Sequence, residues 1–85
     1  MAKLYKADGS KAVEIQPANG TDFQLEELQK AVGGYIEIIN IGNGMILVVD
    51  EEGLCKHKAM NLKASLLAGH YVVGDVVYCK SEEVK

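Results

Sequence analysis

Hydrophobic and polar positions along the chain fall into a small number of runs with different periods. Leu4-Tyr5 and Val13-Ile15 are short strand-formers, and between them Asp8-Gly9 is a favoured turn pair. Ser10 and Lys11 are polar too, so the connection extends beyond two residues. Gln16 to Thr21 is a loop with the only proline, Pro17, and an Asn19-Gly20 pair. FQLEELQKAV then changes to helical spacing. Leu25, Leu28 and Val32 recur at that spacing and define its expected buried stripe. Phe23 and Leu28 have the spacing of a hydrophobic staple if Gln24 is the cap residue, while Thr21 and Asp22 offer alternative starts. Glu26 and Glu27 in the first turn and Lys30 in the last suit the helix dipole.

Val32 to Asn40, VGGYIEIIN, raises a question of chemistry. Phosphate-cradling glycines follow a strand and open a helix. Gly33-Gly34 follows a helix, no Lys-Ser/Thr comes next, and a left-handed C-cap is the expected role. Tyr35 to Ile41 alternates as a strand, with Ile36 and Ile38 on one face and Tyr35, Glu37 and Ile39 on the other. Gly42-Asn43-Gly44 is a turn. Met45 to Val49 is apolar on both faces, which predicts a strand central in the sheet or covered on both sides. Asp50-Glu51-Glu52-Gly53 is an acidic turn, and the pattern from Leu54 to Met60 favours no element. NLKASLLAG predicts a second helix with Asn61 as N-cap and Gly69 as C′ residue. Its stripe is Leu62 and Leu66, joined by Ser65, and its small Ala64, Ser65 and Ala68 permit close packing. HYVVGDVVYC predicts the last strand, interrupted at Gly74-Asp75 by a bulge-like pair. Lys80 to Lys85 is a charged tail. The predicted order is β-β-α-β-β-α-β, an α+β domain with a mainly antiparallel sheet over residues 1–85.

Composition narrows the classes. The 85 residues are 48% hydrophobic and 25% charged, apolar for so small a chain. A single core of this size is marginal, so some apolar surface is expected to meet another subunit in a homo-oligomer. The net charge is -3 and there is no Arg, which argues against binding a nucleic-acid backbone. MAKLYKADGS has no apolar signal core and no run approaches a membrane span. With two isolated cysteines, Cys55 and Cys79, the expectation is a soluble cytoplasmic protein with reduced thiols.

Candidate chemistry is sparse. Cys55, His57, His70 and Cys79 number four, but their spacing fits no common zinc pattern, and no metal or cofactor is expected. Cys55 and His57 would face one way on a strand, yet no third group orients them as a catalytic set. Glu37 and Asp75 are lone carboxylates on apolar strands, either solvated or used for recognition. The start of the second helix, with Asn61, Lys63 and Ser65 and with Lys56 and Lys58 nearby in sequence, is the one place where a phosphate or carboxylate could be held. The plain alternative is an Asn cap with solvated lysines.

LEELQKAVGGYIEII, MILVVDEEG, NLKASLLAG and VVGDVVYC, in this order and spacing from Phe23 to Cys79, resemble a family of small proteins and domains of unknown function. The family is carried by bacteriophages and mobile elements of bacteria. Its Tyr-Ile-Glu corresponds to Tyr35-Ile36-Glu37, its Asn and Ala-Ser to Asn61 and Ala64-Ser65, its Gly-Asp to Gly74-Asp75. The resemblance brings no assigned enzymatic activity, and its phage setting suggests modulation of the host, for example inhibition of a defence system. The leading expectation is therefore a non-enzymatic, oligomeric binding protein sequestering a nucleotide-like signal between subunits. Asn61, Lys63 and Ser65 would take phosphate, Glu37 or Asp75 the base or ribose, with Tyr35 beside them. The alternative is an interaction module binding a host protein through an exposed sheet face bearing Tyr35, Ile39, Tyr71 and Val73.

Overall fold

A computed structural model of the chain describes residues 2–84. Its elements are β1 (Ala2–Tyr5), β2 (Val13–Ile15), α1 (Leu25–Val32), β3 (Ile36–Gly42), β4 (Met45–Asp50), α2 (Leu62–Ala68) and β5 (Val76–Lys80). The fold is α+β, in the expected order. The five strands form one antiparallel sheet in the order β2-β1-β5-β4-β3. The first strand thus pairs with the last, Leu4 opposite Val77, an arrangement that no local pattern announces.

One helix covers each face. Ile46, Val48, Val77 and Cys79 point to α1 and pack with its Leu28 and Val32. Leu47, Val49 and Val76 point to the other face and pack with Ala64 of α2. This two-sided cover is why MILVVD is apolar at consecutive positions.

α1 begins at Gln24, which forms a capping box with Glu27. Glu27 also accepts the N–H of Ala18, 2.9 Å away, tying the preceding loop to the helix. Phe23 and Leu28, the two staple residues, share the α1-side core. Leu25 does not belong to the buried stripe. It is exposed, because Phe23 ahead of the cap occupies the inward position at that end. The helix ends at Gly33, φ 84°, whose N–H reaches Gln29 O at 2.8 Å. The double glycine is a helix stop.

α2 turns differently from its expected orientation. Leu62 is 62% and Leu66 71% exposed, whereas Ala64, Leu67 and Ala68 pack inward. Asn61 decides this. Its side chain is tied to Tyr5 and Gly74 across the fold, so the helix lies close to the sheet on its small residues.

The last strand is also shorter than HYVVGDVVYC suggested. Gly74 has φ +79°, and β5 starts only at Val76. Gly74-Asp75 is therefore the bend into β5 and not a bulge within a strand. Val73 forms an isolated bridge with Met60. The charged segment after β5 is not a free tail. Ser81–Glu83 forms a 3-10 turn, Glu83 O accepts Phe23 N–H at 2.7 Å, and Val84 packs against the α1-side core. Lys85 lies outside the described residues.

Candidate functional site

A recess lies between β1, the loop after it and the start of α2. It measures about 450 Å³ and is lined by Lys3, Tyr5, Lys6, Ser10, Asn61 and Lys63 among others. Alternation along β1 puts Lys3 and Tyr5 on the α2 side of the sheet, because Ala2 and Leu4 face α1. Tyr5 stacks obliquely on Tyr78, ring centroids 5.8 Å apart, which fixes its ring on the sheet. Lys63 Nζ stands 6.0 Å from the centre of the same ring, the outer range of a cation–π contact. The lining holds three lysines and no carboxylate. Asp8, in the adjoining loop, accepts Ser10 N–H at 2.8 Å. The Ser10 hydroxyl, and then that N–H, hold its carboxyl below the ordinary aspartate value.

Asn61 forms the wall of this recess, with its polar atoms already engaged. Nδ2 donates to Tyr5 O at 2.8 Å and Gly74 O at 2.9 Å, and Oδ1 accepts Ala64 N–H at 3.1 Å. Ser65 is similarly committed: Oγ donates to Val72 O and accepts Val72 N–H. The expected anion site, in which Asn61, Lys63 and Ser65 act together, is thus not assembled. Of that group only Lys63 brings a charge to the recess lining, its ammonium standing beside the Tyr5 ring. The physical reason is that Asn61 and Ser65 satisfy buried backbone groups, which would otherwise be costly to bury.

The remaining candidates disperse. Glu37 lines a recess with Glu51, His70 and Tyr71. Asp75 lines another with Lys30 and Lys58, and its Oδ1 accepts Ala7 N–H at 3.0 Å. Tyr35 is exposed beside Gln29, Glu52 and Lys56. Nothing brings Glu37, Asp75 and Tyr35 together with Lys63. Among the anchors considered for a protein partner, Tyr35 and Tyr71 are exposed, but Val73 is buried and Ile39 packs against the α2-side core.

Lys56 and Lys58 do not flank α2. The connection after β4 carries them back to the C-terminus of α1. Both reach Asp50 Oδ2, at 3.0 Å and 2.7 Å. Lys58 Nζ also donates to Val32 O at 2.6 Å and Lys56 Nζ to Gly33 O at 3.1 Å. The two ammonium groups therefore satisfy terminal carbonyls of α1 and a buried carboxylate at once. Burial pushes the Asp50 carboxyl up, but Lys58, the Glu52 N–H and Lys56 outweigh it and hold it down at about 2. Gly34 is small because this centre crowds it: a Cβ there would meet Lys56 Nζ and lie 3.0 Å from Asp50 Oδ1. The glycines of VGGYIE thus serve a charge centre that braces the fold.

Cys55 and His57 lie in successive turns, not on a strand, and His57 has φ 57°. Cys55 is exposed and Cys79 buried, both free thiols. Burial raises the Cys79 thiol to about 11. Among the described residues no three His, Cys, Asp or Glu side chains gather as metal ligands. No helix among them is long and apolar enough to cross a membrane.

Lys3, Tyr5 and Lys6 were not among the sequence candidates. Their signal is the alternation Lys3-x-Tyr5 in a strand, which places a cation and a ring on one face. Its meaning depends on α2 lying opposite.

The chain belongs to a family described as a domain of unknown function (DUF3846), matched over residues 2–85. Among curated proteins and solved structures, no match is found.

Proposed function

We propose that this DUF3846 domain is a non-enzymatic binding protein whose recess beside Tyr5 takes a small anionic, ring-bearing ligand of the nucleotide class. The observation that supports it is the lining: Lys3, Lys6 and Lys63 around an oriented tyrosine ring, with no carboxylate, in about 450 Å³. That volume is in the range of small-molecule sites. Lysines supply point charges for phosphate, and Tyr5 supplies a face for a base. A role without turnover fits the thiols, since Cys79 is buried with its thiol raised and Cys55 lies outside the recess lining. The resemblance to phage and mobile-element proteins extends the proposal to a biological setting, sequestration of a nucleotide-like signal used in host defence.

Native mass spectrometry of the purified chain, followed by the denatured sample, tests for a co-purified ligand. Differential scanning fluorimetry with mononucleotides, cyclic dinucleotides and inorganic phosphate then tests the class. A ligand at 100 times its Kd adds about 2.7 kcal/mol, more than ~10 °C for a domain of this size. Lys63→Ala and Lys3→Ala are expected to reduce that shift without lowering the melting temperature of the free protein. If no nucleotide shifts the wild type and no added mass is found, the proposal fails. The exposed Tyr35, Leu54 and Tyr71 favour the second reading, a module that binds a host protein. An enriched partner lost on Tyr71→Ala would support it.

A further inference from the structure

We propose that the chain pairs with a second copy of itself along the outer edge of β3, joining the two sheets into one continuous antiparallel sheet. This is independent of the recess at β1, which lies toward the other end of the strand order.

β3 is a sheet edge, and an exposed edge is a template for another strand unless something blunts it. The other edge is blunted. β2 has three residues, Glu14 at its middle, and Gln16-Pro17 directly after it. β3 has seven residues, no lysine and no proline, and its only charge is Glu37. Its irregularity in register falls between Asn40 and Gly42, at the far end, so the ladder from Ile36 to Asn40 is regular.

The hydrogen-bond phase selects which groups face out. Glu51 N–H donates to Tyr35 O at 2.9 Å. In an antiparallel ladder such pairs alternate, so Glu37 and Ile39 also bond toward β4, while Ile36, Ile38 and Asn40 direct their backbone groups outward. A two-fold axis through Ile38 then pairs Ile38 with Ile38 of the second copy, and Ile36 with Asn40. Each outward N–H from these residues meets a carbonyl. Ile38, 48% exposed, gains an apolar partner. Glu37 falls opposite Ile39, not opposite its own copy, so the one charge on the strand is not set against itself. This self-complementary placement is what commits the edge to a second copy of this chain.

Analytical ultracentrifugation of the whole chain across about 1 to 100 μM should give twice the 9.2 kDa chain mass, a range suited to interfaces of modest size. Ile38→Lys sets two ammonium groups directly opposite each other and is expected to weaken association by more than ~10-fold, with the helical and sheet circular dichroism retained. Val13→Lys, equally half-exposed on the other edge, should leave the dimer intact. Ile38→Cys in a Cys55→Ser background should cross-link chain to chain on mild oxidation, because hydrogen-bonded pairs have Cα atoms about 5.5 Å apart. A wild-type chain that stays at 9.2 kDa at every concentration overturns the proposal. So does a dimer that survives Ile38→Lys, or, if that variant does not fold, an Ile38→Cys chain that does not cross-link.

Discussion

Asp50→Asn removes one charge and almost no volume from the centre that joins β4, the following turns and the end of α1. In the native protein the Asp50 side chain is fully buried and accepts bonds from Lys56, Lys58 and Glu52 N–H. Its carboxyl lies at about 2 against an ordinary 3.8. At about 1.4 kcal/mol per pK unit this corresponds to roughly 2 kcal/mol favouring the fold. The folded value is depressed, so the contribution is complete above about pH 5 and lost as pH falls through about 4 to 2. The asparagine variant lacks it at all pH values and leaves two ammonium groups close together. Urea unfolding followed by circular dichroism, at a series of pH values, measures both. The variant should be about 2 kcal/mol less stable at pH 7, and the gap should narrow toward pH 2. A gap below about 0.5 kcal/mol at neutral pH would show that the centre contributes little net stability. A gap independent of pH would show that the loss arises from packing and not from the charge.

Other perturbations test neighbouring inferences. Gly34→Ala brings a methyl group against Lys56 Nζ, which must swing away from Asp50, and should lower stability by about 1 kcal/mol; this cost should shrink in an Asp50→Asn background, read from urea midpoints. Asn61→Ala removes the α2 cap and leaves Tyr5 O and Gly74 O without their donor. It should cost about 2–4 kcal/mol, a fall of at least ~8 °C in melting temperature. With Ellman's reagent, native Cys55 should react promptly and Cys79 only after unfolding, since one is exposed and the other buried with its thiol raised to about 11. Equal native reactivity would mean that β5 opens readily.

Local chemistry made much of the architecture legible. Asn61 and Gly69 were readable as the start and stop of α2, and the double glycine as the stop of α1, because each signal needs only a few residues along the chain. Among Thr21, Asp22 and Gln24 the start of α1 was settled by the structure, as Gln24 with Glu27. The alternation in β3 likewise read as a strand, and the doubly apolar β4 as a strand central in the sheet or covered on both sides; that β3 is the edge came only from the strand order. The order of such segments pointed to an uncharacterised family, with which the match to a domain of unknown function over residues 2–85 is consistent.

Position across the sheet was not encoded in that way. Pairing of β1 with β5 brings Lys3 and Tyr5 against Lys63, so the recess exists only after the two ends of the chain meet. The roll of α2 followed long-range bonds from Asn61, which hid Ala64 and left Leu62 and Leu66 outside; periodicity favoured the larger residues and had no means of sensing those bonds. Lys56 and Lys58 lay near α2 in sequence but closed on Asp50 and α1, because the connecting turns reverse direction. What the amino-acid order determined by itself was the inventory of elements and their ends, since hydrogen bonding within a helix or turn spans a few residues. Which side chains meet was decided by the tertiary structure, since that depends on strand pairing between distant segments and on buried polar atoms finding partners wherever the fold places them.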